Sequence, residues 1–226
     1  MYHPNVVRDL EPHSALVRVT HWVTAGSVAA LLVSGVAILL AHPRLYWGET
    51  GAIGGPSLLD LPLPLILTGQ SGWGRSLHFL AAWLSVTTGA LYLAASLRSG
   101  HLRRDLLPAA GDLRRAAAHL RPHRAGHDAD LAYTPAQRVA YFSVVVLLFP
   151  ALIWTGLAMS PAVTAVAPFL VTVLGGQQSA RTLHFAAACA LVLFVVGHVA
   201  MVALSGFRMR MRGMLTGRRA VSEGRA

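Results

Sequence analysis

Four stretches of about 20 apolar residues, near 20–41, 76–97, 138–160 and 182–206, dominate this chain of 226 residues. As a helix, each is long enough to cross a hydrocarbon core of about 30 Å. Inside such a layer every backbone N–H and C=O must find an internal partner, so the predicted fold is all-α: an integral membrane four-helix transmembrane bundle. With 54% hydrophobic and only 12% charged residues, composition points the same way. The chain reads as a single domain, 1–226, with no separate soluble unit. The first stretch is too long for the apolar part of a signal peptide and has no obvious small-residue cleavage site after it, so it is expected to remain in the mature protein.

The formal net charge of +10 would suit nucleic acid, but the placement of the arginines follows the membrane instead. Arg8 and Arg18 precede the first stretch. The connection of about 98–137 and its flank carry Arg98, Arg103, Arg104, Arg114, Arg115, Arg121, Arg124 and Arg138, and the tail carries Arg208, Arg210, Arg212, Arg218, Arg219 and Arg225. Only Arg44, Arg75 and Arg181 fall in the other two connections. The positive-inside rule then predicts a multi-pass membrane protein with both termini and the basic loop in the cytoplasm.

The connection from His42 to Gly74 is rich in Gly and Pro, which disfavours a long regular element, yet it holds Tyr46, Trp47, Leu58, Leu59 and Leu61. Such a loop packs either on the helix ends or on a partner protein. In the basic loop, Asp112 to Leu120 has a short amphipathic helical pattern suited to an anionic leaflet. The nearby His101, His119, His123 and His127 read as solvated loop histidines rather than a metal site, and the arginine-rich tail from Arg208 as a stop-transfer flank.

Chemistry enters with a partial repeat. Gly74-Arg75-Ser76-Leu77-His78-Phe79 matches Ala180-Arg181-Thr182-Leu183-His184-Phe185, and Arg18-Val19-Thr20-His21-Trp22 is a weaker third copy. An Arg precedes a His by three residues each time, and an aromatic follows. Strongly polar side chains are costly within a bilayer, so they face the bundle interior and have a partner or cofactor. His184 and His198 lie 14 residues apart on the fourth stretch. In a helix that is roughly 21 Å along the axis and about 40° short of four full turns, which puts both imidazoles on one side. Depth then pairs His78 with His184 near the outer surface and His21 with His198 near the inner one. Two bis-histidine sites suit two low-spin haem irons with filled axial positions, a state for electron transfer rather than oxygen chemistry.

Cys189 is the only cysteine, expected to serve in packing, and there is no Cys-x-x-Cys-His sequence for covalent haem attachment, so the expected cofactors are two haem b. The arginines at i−3 lie on the ligand face, one turn nearer the surface. Arg75 and Arg181 are therefore candidates for the outer haem propionates and Arg18 for the inner, against a plainer role as interface anchors. Gly35, Gly89, Gly156 and Gly197 are small enough for a porphyrin to approach the backbone, or for plain helix contacts.

With these residues in place, nearly the whole chain resembles the bacterial cytochrome b561 / nickel-hydrogenase and formate-dehydrogenase gamma type di-haem cytochrome b family. The resemblance implies one ligand from the first helix, one from the second and two from the fourth, which fall on His21, His78, His184 and His198. His42-Pro43-Arg44-Leu45-Tyr46-Trp47-Gly48-Glu49, Gly156-Leu157-Ala158-Met159-Ser160-Pro161 and Gly175-Gly176-Gln177-Gln178-Ser179-Ala180-Arg181 look like the thiosulfate reductase cytochrome b subunit branch. That branch implies a periplasmic redox protein or a molybdopterin oxidoreductase subunit as partner.

The function expected from this reading is a di-haem electron-transfer subunit carrying electrons between the quinone pool and a periplasmic oxidoreductase. Membrane lipid and an exchangeable quinone are its other partners, nucleic acid is not, and no residue is expected to be catalytic. Two alternatives remain: a self-contained oxidoreductase between quinone and a small species such as superoxide, and a haem-free membrane anchor.

Overall fold

The computed structural model describes residues 14–49, 56–61, 71–100, 111, 135–204 and 206–217. The amphipathic pattern at 112–120, the four loop histidines and the arginines at positions 8, 103, 104, 114, 115, 121, 124, 218, 219 and 225 lie outside the described residues.

Helix α1 runs Ala15–Ala41 and α2 runs Ser71–Arg98. The third span is composite: α3, Pro135–Phe142, passes through a π-helical segment, Ser143–Leu148, into α4, Phe149–Ala158. Two short helices follow, α5 (Pro161–Thr164) and α6 (Phe169–Thr172), then the fourth span α7 (Gln177–Leu204) and the tail helix α8 (Phe207–Thr216). Four of these segments are long and apolar enough to cross a membrane: Ala15–Ala41, Gly72–Arg98, Val139–Ala158 and Gln177–Leu204. The chain is therefore a multi-pass membrane protein built as a helical bundle, with Leu80, Trp83 and Leu193 among the large apolar side chains turned outward.

The spans begin three to five residues before the apolar windows. Hydropathy reads the thickness of oil a segment can cross, whereas the helix begins where its first N–H groups are satisfied. At α1 the Ser14 hydroxyl accepts from Val17 N–H at 3.3 Å, an N-cap that lies ahead of the apolar window. Helix α7 stops at Leu204, and Gly206, at φ 95°, turns the chain into α8. In the third span, Pro150 lacks the N–H that an α-helix would use one turn back. The widened turn lies immediately before it, and Phe149 N–H bonds to Val144 O, five residues back.

The amino end of α1 and the carboxyl end of α7 lie together at one end of the bundle, called proximal here; the other end is distal. Helix α1 packs along α2, and the third span packs on α7. Val28, Val144 and Leu191 form the buried apolar centre, with Leu32, Leu148, Phe149, Leu152, Phe194 and Val195 around it.

At the distal end the connection after α1 folds onto its own chain. Strands β1 (Arg44–Leu45) and β2 (Leu59–Asp60) pair antiparallel, Arg44 bridges Asp60 at 3.1 Å, and Leu45 is 1% exposed. Gly48 then meets the start of α7: its carbonyl accepts from Gln178 N–H at 3.0 Å and Ser179 N–H at 3.3 Å, and its N–H donates to Ser179 Oγ at 2.8 Å. These bonds satisfy backbone donors that the first turn of a helix otherwise leaves unpaired. At the proximal end, the tail is a helix docked on α1 rather than a plain flank: Arg18 donates to Leu215 O at 3.1 Å and Trp22 Nε1 to Met214 O at 3.3 Å.

Candidate functional site

The four membrane histidines occupy two levels. At the distal level, His78 on α2 faces His184 on α7 with ring centroids 6.1 Å apart and planes at 65°. At the proximal level, His21 on α1 faces His198 on α7, with centroids 6.3 Å apart and planes at 49°. Leu191, seven residues from each α7 histidine, belongs to the apolar centre between the levels.

The surroundings of the two pairs differ. His78 Nδ1 lies 3.0 Å from Ser34 Oγ, and His184 Nδ1 lies 2.9 Å from Thr155 Oγ1. A Cβ added at Gly35 would stand 3.8 Å from His78 Cε1, and one at Gly156 would stand 3.6 Å from His184 Cε1. Both are ordinary contact distances. The proximal rings have aromatic neighbours instead: Trp22 is edge-on to His21 at 5.2 Å, and Phe194 stacks on His198 at 5.9 Å. His198 Nδ1 is buried with no hydrogen-bond partner among the described residues. Gly89 and Gly197, the other two small positions, have nothing within 4 Å of an added Cβ.

A metal–imidazole nitrogen bond is about 2.0–2.1 Å and the ring centroid lies about 1.1 Å behind the nitrogen, so two imidazoles opposed across one ion have centroids about 6 Å apart. Each pair has that spacing. A direct imidazole–imidazole hydrogen bond would draw the donor and acceptor nitrogens to about 3 Å and the rings correspondingly closer. No group of three or more His, Cys, Asp or Glu suited to a metal ion occurs among the described residues. Two facing imidazoles are the ligand set that suits the axial positions of a haem iron.

The three arginines lie at the ends of the bundle. Arg181 donates to His42 O, Arg75 is exposed near His42, and Arg18 spends one N–H on Leu215 O. A guanidinium has five N–H donors, so these bonds leave the propionate role open to each. Cys189 is exposed on α7 rather than packed inside.

The model of the prokaryotic cytochrome b561 family matches residues 12–217, which takes in all four spans and every histidine described above. The chain belongs to this family. As a prokaryotic cytochrome b561, it is a membrane electron-transfer protein that binds haem b. A relative from Azospira oryzae, YedZ1, is 34% identical over 195 residues, covering 85% of this chain and 90% of the relative; its name makes it a candidate subunit of a protein-methionine-sulfoxide reductase. No solved structure matches the chain.

Ser34 and Thr155 escape the sequence reading because isolated hydroxyls are common in membrane helices. Their signal is a second repeat: Ser34-Gly35-Val36-Ala37 on the first span and Thr155-Gly156-Leu157-Ala158 on the third.

Proposed function

We propose that this cytochrome b561 carries two haem b, one between His78 and His184 and one between His21 and His198, and carries electrons between the quinone pool and an oxidoreductase at the distal face. The supporting observation is the ring spacing, 6.1 Å and 6.3 Å, at two levels of one membrane bundle whose fourth helix contributes to both. The proximal end carries the arginine-rich tail and is cytoplasmic on this reading, so the distal face is periplasmic.

Haem, when bound, supplies the one-electron chemistry; the chain supplies ligation, spacing and a low-polarity surround. Arg75 and Arg181 would hold the distal propionates, and Arg18 the proximal ones. Quinone exchanges near the proximal haem. The partner is a periplasmic redox protein or a molybdopterin oxidoreductase subunit, and the name of the Azospira relative makes protein-bound methionine sulfoxide the first substrate to try with it.

Pyridine haemochrome assay of the purified protein tests the core of this reading. Two haems per chain are expected, falling to one in both His184→Ala and His198→Ala, with a different haem lost in each. Two haems retained in both variants would overturn the pairing. Quinol should reduce the haems without further turnover until a partner reductase is added, and sustained turnover of superoxide by the chain alone would replace the subunit reading.

A further inference from the structure

The two distal imidazoles are held alike, by residues that no ligand assignment includes. Ser34 Oγ donates to Ala30 O at 2.7 Å and approaches Leu31 O at 3.1 Å. Thr155 Oγ1 does the same toward Ala151 O at 2.7 Å and Leu152 O at 3.2 Å. A hydroxyl has one hydrogen, and here it is committed to its own helix backbone. Its oxygen can then only accept from the ring beside it, and the same ring also bonds to a backbone carbonyl, that of Leu31 for His78 and of Leu152 for His184. The proton of His78 and of His184 is therefore on Nδ1, and a neutral imidazole protonated at Nδ1 carries its lone pair on Nε2.

Back-bonding of Ser and Thr to the preceding turn is common in membrane helices and needs no histidine to explain it. What it leaves unexplained is that both hydroxyls also meet a ring nitrogen, both at Nδ1, from corresponding places in two hairpins. Ser34-Gly35-Val36-Ala37 stands to His78 as Thr155-Gly156-Leu157-Ala158 stands to His184. In each the hydroxyl holds the nitrogen, the glycine leaves space beside Cε1, and the alanine is buried, at 5% for Ala37 and 0% for Ala158. Ser34 is itself fully buried and Thr155 is 5% exposed, so water does not compete for either bond.

We propose that Ser34 and Thr155 are positioning residues that fix the tautomer and ring angle of His78 and His184, present both Nε2 atoms to one haem iron, and lower that haem's reduction potential. The inference rests on the two-haem reading. A hydrogen bond accepted from Nδ1–H makes the imidazole a stronger donor, which favours the ferric state. His198 has no such bond among the described residues.

Potentiometric titration of the full-length protein, following the α band, tests this with Ser34→Ala, Thr155→Ala, Ser34→Thr and Thr155→Ser. The alanine variants are expected to shift one midpoint potential upward, the same one in both, belonging to the haem that His184→Ala loses. The other potential should stay in place, and the Thr and Ser variants should restore the shifted one. Loss of only the distal haem from an alanine variant, with its return in the hydroxyl-bearing one, also supports the clamp. A parent protein with fewer than two haems overturns the two-haem reading and the clamp together. Two haems whose potentials ignore both hydroxyls, or a shift confined to the haem lost in His198→Ala, overturns the clamp alone.

Discussion

His42 lies just beyond α1, with its carbonyl taken by Arg181 and with Arg75 close by. Partial desolvation, followed by repulsion from the Arg181 and Arg75 guanidinium groups, holds its imidazole below the ordinary value of 6.5. As pH falls through 6.5 the unfolded chain therefore takes up a proton that the folded one still refuses. The stabilising contribution is complete above 6.5 and is lost as pH drops toward the lower folded value. Thermal unfolding in detergent at about pH 7.5 and about pH 5.5 should show a smaller drop on acidification for His42→Gln than for the parent, and equal drops would remove His42 from the pH response. The four membrane histidines were legible in the sequence because an imidazole is conspicuous in an apolar helix. Ser34 and Thr155 were not, because a hydroxyl satisfied by its own backbone leaves no mark in composition. Nor was the contact between Arg18 and Leu215, 197 residues apart, which only the folding back of the tail creates.

At the scale of elements, the joint between the first connection and α7 is the most constrained place described. Gly176 has φ 112°, and a Cβ there would stand 2.5 Å from Gly48 C and O, where backbone rather than a flexible side chain is in the way. Gly176→Ala is expected to cost at least about 1–3 kcal/mol from the backbone conformation alone, before the collision with Gly48 is counted. A lower melting temperature and faster proteolysis between β1 and α2 would be its signs, while an unchanged melting temperature would contradict the tight joint. The connection's apolar residues left its covering open between helix ends and a partner. Leu45 and the Gly48–Ser179 bonds dock part of the connection on its own helix ends, while Trp47, Leu58 and Leu59 stay exposed. Helices α5 and α6, each four residues long, are too short for periodicity to register. The π segment was hidden because Val and Leu suit either kind of turn.

For the whole molecule, four long apolar runs were enough to imply the bundle, since few other structures satisfy a backbone in oil. The neighbours within it were set by packing that no single run records. Charge supports the proposed orientation, which has its own test: with both termini in the cytoplasm, a green fluorescent protein fused at the carboxyl end should fluoresce, and alkaline phosphatase inserted between β1 and β2 should be active. The reverse pattern would invert the topology and move the partner to the other side of the membrane. One further consequence belongs to synthesis. Both imidazole pairs draw one ring from α7, the last of the four spans to be made. Domains fold as the chain emerges, amino end first, and α1 with α2 can pack early. Yet neither pair exists on a nascent chain until α7 has entered the bilayer, so capture of haem by the proposed ligands would be a late, post-insertion event, and a ribosome stalled before Gln177 would leave a membrane-embedded but colourless precursor.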